Sequence, residues 1–394
     1  MNLERIRMPK VLVTDGYWRK SLAIVRALAG AGIEVGIGER TFLAPAIFSK
    51  YAKRRYVYPS VSARPDKFRE WLIKTVQKDK YEVLITPEEE TALFASQNKE
   101  ILEKYVKVPL ADSEKIKFVR DKYKIISAAK NLGIGTPRTV LVLNISDMAK
   151  SASGFRYPFV MKPRIGTGSR GVCYIKSSKE LQRFDAKMFE KYGEYMMQEY
   201  IPGDAFYGVS VLFNRCGKMR SAFVHKKIRQ YPVTGGVSTY AESVEFPALV
   251  ELSEKLLGSA GWFGVANVEF KLDERDNMPK LMEVNPRFWG SLHLAVASGV
   301  NFPWLLYKLA IDGDVTPVFD YKKGVKFRCI LPGDILNFGS NLTKGKRVDK
   351  NFFKLFEKGT HHATFSIKDP LPIAGTLLSL IDYFTSAEMR KFRD

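Results

Sequence analysis

Between residues 10 and 110 short apolar runs alternate with amphipathic stretches, and that alternation limits the fold more than any other feature of the chain. "KVLVTDG" reads as a strand, "RKSLAIVRALAGAG" as a helix and "IEVGIGE" as a second strand. "KFREWLIKTVQKDK" has helical spacing. "YEVLITPEEE" reads as a strand leaving into a helix whose first turn carries carboxylates, where they complement the helix dipole. Strand–helix–strand order of this kind predicts a parallel sheet with helices on both faces. The strand-to-helix junction at Asp15-Gly16 has no GxGxxG, which gives little support to a dinucleotide site there.

A chain of 394 residues is long enough for two or three domains with a sizeable core. Its 63 Lys and Arg against 42 Asp and Glu leave a net charge of +21, which favours anionic partners: nucleotides, acidic metabolites, nucleic acid or an anionic membrane surface. No nucleic-acid motif accompanies the charge, and the basic residues are spread along the chain, so no specific nucleic acid is expected. Cys173, Cys216 and Cys329 lie far apart without a CxxC pair, so neither a disulfide scaffold nor a zinc site is expected, and a reducing cytosol fits. The four histidines, His225, His293, His361 and His362, show no HExxH spacing. The N-terminal residues lack a signal-peptide pattern and no window approaches a membrane span, so a cytoplasmic location is expected.

Further along, residues 112–133 read as one helix, capped by Asp112 or Ser113 and ended by Gly133. "IGTPRTVLV" reads as an extended link, and residues 158–176 as two strands around a glycine loop. "YMMQEYIPGDAFYGVSVLFN" is strand-like with a Pro-Gly turn inside it. Residues 262–285 read as a hairpin with a polar turn, followed by a helix from about Leu292 to Ile311. Beyond Asp312 the pattern is harder to read. Residues 322–358 hold ten Lys and Arg against three acids, and "LPIAGTLLSLIDYF" (371–384) is a short apolar stretch.

Four segments could carry chemistry. In "PFVMKPRIGTGSRGVCYI", Gly166, Gly168 and Gly171 fit GxGxxG, but a strand follows the loop where a dinucleotide fold needs a helix. What remains is a hairpin loop whose backbone N–H groups, with Thr167 and Ser169, could cover phosphates, and Lys162 ends the incoming strand within reach of them. The plain alternative is a glycine hairpin beside a surface lysine. "MMQEYIPG" breaks at a Pro-Gly, as an inter-lobe hinge does, and its backbone could bond an adenine edge; taken alone, a strand ending in a turn is the better reading. In "LMEVNPRFWGS" Glu283 and Asn285 share one strand face. Across the predicted hairpin Asn267, Glu269 and Lys271 share another, so Glu269 and Glu283 would converge. Two carboxylates and an amide oxygen are hard ligands suited to one or two Mg²⁺ ions. Without a cation, one of the paired carboxylates would take up a proton. A solvated face with Glu269–Lys271 pairing is the plain alternative. Last, "HKKIRQYPVTGGVSTYAES" carries Lys226, Lys227 and Arg229 ahead of a polar glycine loop. It reads as an anion-binding strand with a mobile loop, or as a charged edge strand.

Taken together, the order and spacing of "RDKYK", "FVMKPRIGTGSRG", "MQEYIPG", "NVEF" and "EVNPRFWGS" after a βαβ domain resemble the ATP-grasp superfamily of ATP-dependent carboxylate ligases, over about residues 10–311. The resemblance implies an α/β fold, α+β in the grasp lobes. A Rossmann-like N-terminal domain (1–111) would precede a lobe with the glycine loop (112–196), a lobe with the metal site (197–311) and a basic extension (312–394). It implies that Lys122 and Lys162 bind nucleotide, that Gly166 to Gly171 cover phosphate, and that Gln198, Glu199 and Ile201 form the adenine hinge, the last through its backbone. It implies Glu269, Glu283 and Asn285 as metal ligands and Arg287 at the substrate or transferred phosphate, with Lys227 and Arg229 as further catalytic charges. Many members place a Glu after the hinge glycine for the ribose hydroxyls; here Gly203 is followed by Asp204, which stands as the substitute.

The activity implied is an ATP-dependent carboxylate–amine ligase using two Mg²⁺ ions, with Mn²⁺ as the alternative. The acid is activated as an acyl phosphate with release of ADP, and a small-molecule amine then displaces phosphate. A non-catalytic ATP-binding regulatory module is the competing function, and the intact Glu/Glu/Asn set argues against it. The basic extension with its apolar stretch could dock on the inner face of an anionic membrane or pack on the ligase domain. The sequence is silent on oligomeric state and on which acid and amine are used.

Overall fold

The computed structural model describes residues 8–343, 350–354, 357 and 359–385. Among these residues the strands form three sheets. The first contains β1 (Lys10–Val13), β2 (Glu34–Glu39), β3 (Ala52–Val57) and β4 (Val83–Ile85), all parallel, in the order β3-β2-β1-β4. The runs read as strands are strands, and the helices Arg19–Gly30, Pro65–Asp79 and Glu89–Gln97 fall where the periodicity puts them. The second sheet contains β5 (Thr139–Val142), β6 (Phe159–Pro163), β7 (Cys173–Ile175) and β8 (Tyr195–Glu199), antiparallel in the order β5-β8-β6-β7. The third is built on β9 (Phe206–Phe213), β10 (Met219–Tyr231), β11 (Val237–Ser243), β12 (Gly264–Leu272) and β13 (Pro279–Asn285). Two short strands of the tail, β14 (Lys326–Arg328) and β15 (Thr360–His362), complete it in the order β13-β12-β9-β10-β11-β14-β15.

The structure corrects two helix readings and adds strands that the sequence reading did not assign. The strand β3 has no apolar pattern: it is an edge strand whose Lys53, Arg54 and Arg55 face solvent, as edges that must not pair with other chains do. The expected single helix over 112–133 is two, Ser113–Arg120 and Lys122–Asn131, broken at Asp121. Asp121 accepts hydrogen bonds from the backbone N–H groups of Tyr123 and Lys124, both at 3.1 Å, so it starts a new helix. These helices pack on β13 of the large sheet rather than in the small lobe. The expected helix 292–311 is likewise two, Leu292–Ala297 and Phe302–Asp312, with Gly299 and the capping Asn301 between them. Finally, the extension beyond 312, whose structure the sequence left open, adds two strands to the large sheet: β14 pairs with β11, and β15 with β14.

The helix Arg19–Gly30 packs on Leu292–Ala297 and Phe302–Asp312, so the core of the parallel sheet runs on into that of the large sheet, joining Val11, Leu22 and Ile37 with Val209, Phe270 and Leu306. The small sheet has a core of its own around Phe159, Met161 and Met197. The cleft lies between this separately packed lobe and the large sheet. Among the described residues no helix is long and apolar enough to cross a membrane.

Candidate active site

The hairpin β12–β13 fixes the centre of the cleft. Its register pairs Glu269 with Glu283 and Asn267 with Asn285, so the polar face read from the alternation is one surface. The Asn285 Nδ2 donates to Glu283 at 3.3 Å and to Glu269 at 3.5 Å. Two carboxylates and an amide around one point fit a hard divalent cation, although Asn285 would have to turn its oxygen inwards. Among the described residues no group of three His, Cys, Asp or Glu could hold a metal ion, so the amide is a necessary member of this set.

The charge balance at that point differs from the sequence reading. Glu269 pairs with Lys227 at 2.6 Å, not with Lys271. Burial works against the charge on Glu283, but Lys122, Lys162 and Lys227 outweigh it and hold its pKa below the usual carboxylate value. Lysines, rather than a shared proton, therefore keep Glu283 ionised.

Facing the hairpin are two lysines, Lys122 from the helix packed on β13 and Lys162 from the small sheet. Lys122 is the first residue of its helix, and Asp121 fixes it there by capping that helix and by binding the Arg164 guanidinium at 2.7 Å. Its Nζ donates to the Gly166 carbonyl at 2.5 Å and lies 3.8 Å from Glu283. Lys162, at the end of β6, donates to Gln198 Oε1 at 2.7 Å, and Gln198 in turn donates to Thr139 at 3.0 Å. Gln198 thus positions Lys162 by tying β5, β8 and β6 together. Burial pushes the Lys162 amine down to about 8, and Lys122 adds to the effect while Glu283 opposes it.

Along the hinge, Glu199 lines the cleft and pairs its carboxylate with Arg275 at 2.7 Å. The Ile201 carbonyl accepts from Lys271 at 2.6 Å, and Lys271 is buried beneath the rings of Tyr200 and Phe206. The sequence motif did not mark Lys271 as a hinge residue. Asp204 is exposed and does not line the cleft.

Two loops close the mouth. Gly166, Gly168 and Ser169 line the cleft, whereas Thr167 accepts from Arg170 and does not. Gly171 has φ +70°, and a Cβ there would lie 2.8–3.0 Å from Pro163, Tyr192 and Tyr195, so only glycine fits. From the other side comes the polar loop 232–236. Ser169 donates to the Gly235 carbonyl, Tyr174 to that of Thr234, and Lys227 to that of Gly236 at 3.1 Å. Lys227 therefore joins the loop to Glu269. Arg229, two residues on, is corrected: its guanidinium leaves the cleft for the buried Asp334 at 2.9 Å and lies over Tyr240. A bulge in β10 between Lys227 and Gln230 redirects it and puts Gln230 on the cleft wall. His225 lines the same wall, bonded to Ser291 at 3.2 Å, and burial, with Lys227, pushes its pKa down to about 3, so it is neutral.

The N-terminal domain reaches this site through residues that no motif marked. Arg287 donates to the Phe288 carbonyl at 2.8 Å and to Asn285 at 3.1 Å, and its Nε lies 3.9 Å from Glu88. Glu88 is bound by Lys20 at 2.6 Å, and Lys20 also donates to the Phe288 carbonyl at 3.2 Å. Arg19 donates to the Ser238 carbonyl at 2.7 Å. Burial, then Arg287, pushes Lys20 down to about 8; Lys20 and Arg287 overcome burial to hold Glu88 ionised. The only sequence signal was position: all three sit at carboxyl ends of parallel strands, where such sheets bind ligands.

Residues 191–330 match the family described as ATP-grasp in the biosynthetic pathway with Ter operon. The carbamoyl phosphate synthase large chain of Thermotoga maritima is 24% identical over 323 residues, 78% of this chain and 29% of that one. An uncharacterised protein of Methanocaldococcus jannaschii is 25% identical over 217 residues, 54% of this chain and 52% of it. The chain thus spans about half or less of the length of these relatives. Among solved structures, the biotin carboxylase domain of Hydrogenobacter thermophilus 2-oxoglutarate carboxylase, in complex with MgADP and bicarbonate, superposes with a TM-score of 0.66 at 18% identity, over 81% of this chain and 74% of that one. The N5-carboxyaminoimidazole synthetase of Staphylococcus aureus complexed with ADP gives 0.65 at 17% identity, over 82% and 83%. The L-amino acid ligase of Bacillus licheniformis gives 0.60 at 18%, over 79% and 78%. With these matches, the chain resembles an ATP-grasp family over residues 191–330 and shares the fold of these carboxylases and ligases.

Proposed function

We propose that this protein is an ATP- and Mg²⁺-dependent ligase that joins a small-molecule carboxylate to an amine. The observation that carries the reading is the convergence of Glu269, Glu283 and Asn285 opposite Lys122 and Lys162 across one cleft. Glu269, Glu283 and Asn285 would hold two Mg²⁺ ions, which supply charge neutralisation at the triphosphate. Lys122 and Lys162 hold phosphate oxygens, the loop 166–171 covers them, and the hinge backbone from Gln198 to Ile201 takes the base. Arg287 holds the acid, and Lys227 pairs with Glu269 and holds the polar loop at Gly236. The protein supplies position and charge rather than a nucleophile.

In the first step a carboxylate oxygen attacks the γ-phosphorus, the bond to the ADP oxygen breaks, and an acyl phosphate forms. In the second the amine nitrogen attacks the acyl carbon, phosphate leaves, and the nitrogen gives up a proton. Bicarbonate and amino acids are the first acids to try, since bicarbonate is bound in the Hydrogenobacter structure and an amino acid ligase shares the fold.

The test is ADP release dependent on both acid and amine, with hydroxylamine trapping of the acyl phosphate. ATP binding without substrate-dependent ADP release across a broad panel would favour the regulatory module instead. Glu283→Ala should lower ADP release by about a hundredfold or more while the thermal unfolding midpoint stays within a few degrees. Turnover like that of the unmodified protein would sink the metal assignment.

A further inference from the structure

The apolar stretch of the tail forms the helix Pro372–Thr385, and only half of it is packed. Its inner face lies on the turn Pro45–Phe48 of the N-terminal domain, so closely that a Cβ at Gly375 would come within 2.7 Å of Phe48. Buried Asp369 locks the approach to the helix: it accepts from Arg26 at 2.9 Å, from Ser49 at 2.8 Å and from the backbone N–H of Lys50 at 2.9 Å. Arg40 holds Asp382 at 3.0 Å, and Tyr17 donates to the Ser379 carbonyl at 3.1 Å. The helix is thus fixed to the body of the protein.

Among the described residues the outer face is uncovered. Leu377 and Ile381 lie one turn apart and are 51% and 55% exposed; Leu371 is 58% and Ile367 87% exposed. Asp369 and Asp382 are the only acids between Phe365 and Thr385, and both are neutralised by arginines. Lys50 and Lys53 are exposed on the segment that Asp369 clamps, and Lys368 is exposed beside it.

We infer that this face docks on an anionic lipid bilayer, with Leu371, Leu377 and Ile381 in the acyl boundary and the lysines among the headgroups. An interfacial surface needs an apolar stripe with basic side chains near it; the helix supplies the stripe, and Lys50, Lys53 and Lys368, on the segments beside it, supply the positive charge. Four aliphatic side chains fall well short of the roughly 800 Å² per partner of a stable protein dimer, whereas a membrane needs no complementary surface. The chain's net charge of +21 acts in the same direction. The inference is independent of the catalytic reading.

The experiment is flotation of the full chain with phosphatidylcholine vesicles, with and without phosphatidylglycerol. Binding to the mixed vesicles only, weakening as salt is added, is the expected result. L377E/I381E should lower partitioning more than tenfold at an unchanged unfolding midpoint. K50E/K53E should lower it at least tenfold, since each basic residue near such a surface contributes about fivefold. L377Q/I381Q serves as a second apolar-face variant if the glutamates disturb the helix. Three results would overturn the inference: no flotation with either vesicle, flotation indifferent to both sets of variants, or self-association that L377E/I381E abolishes, which would assign the face to a second copy of the chain.

Discussion

Lys162 is where burial and function meet most directly. Its amine is pushed down to about 8 because it is desolvated beside Lys122, with Glu283 as the compensating charge. An anionic ligand binds the protonated form, so nucleotide affinity should be full below pH 8 and fall above it. If only the protonated form binds, affinity drops about tenfold between pH 7 and 9. Isothermal titration across that range checks it: Lys162→Met should bind more weakly at pH 7 and show a flat profile, and a flat profile in the unmodified protein would refute the assignment. The sign for folding is opposite. The unfolded amine keeps its proton up to about 10.5 while the folded one loses it near 8, so this residue's unfavourable contribution is relieved as pH rises between those values. The core of the site was legible because alternation in two strands puts Glu269, Glu283 and Asn285 on one face whatever surrounds them. Arg229, which the resemblance put among the catalytic charges, is turned away by the β10 bulge, and that bulge depends on partners far away in sequence.

At the scale of elements, legibility followed burial on both faces. The apolar runs of β1, β2 and β4 announce themselves, as parallel strands covered on both sides do. The edge strand β3 is hidden because its charges are its protection, and the three-residue β14 and β15 are too short to carry a period. Nor could the sequence reveal why the tail belongs to the sheet. Asp334, fully buried, accepts from Arg328 at 2.5 Å and Arg229 at 2.9 Å, joining the tail to β10. Both arginines are themselves buried, so removing the carboxylate leaves two charges uncompensated. Asp334→Asn should cost about 3–5 kcal/mol in urea unfolding. A loss under about 1 kcal/mol would mean the tail is held by other contacts.

Across the whole molecule, the proposed reaction draws on the N-terminal domain through Arg287. The end of β13 delivers that arginine into the cleft, but Asn285 and the Phe288 carbonyl occupy only its Nη atoms. Its Nε is buried without a hydrogen-bond partner among the described residues, 3.9 Å from the Glu88 carboxylate. Glu88 is held ionised by Lys20, and Lys20 also bonds the Phe288 carbonyl, so one N-terminal ion pair grips the loop that carries Arg287 at two points. The continuous core between the parallel and large sheets makes that grip stiff. The proposed nucleotide end, by contrast, rests on Lys122, Lys162 and the hinge, none of which hydrogen-bonds to Lys20 or Glu88 among the described residues. The two halves of the reaction are therefore separable. Glu88→Gln keeps the shape but removes the charge beside Arg287 and Lys20. It should lower acid-dependent ADP release about tenfold or more, while nucleotide affinity stays within about twofold because the contacts there are unchanged. Parallel measurements of turnover and nucleotide titration decide it. An equal loss in both would mean that Glu88 holds the domains together rather than orienting Arg287, and no loss in either would mean that the acid binds without help from the N-terminal domain.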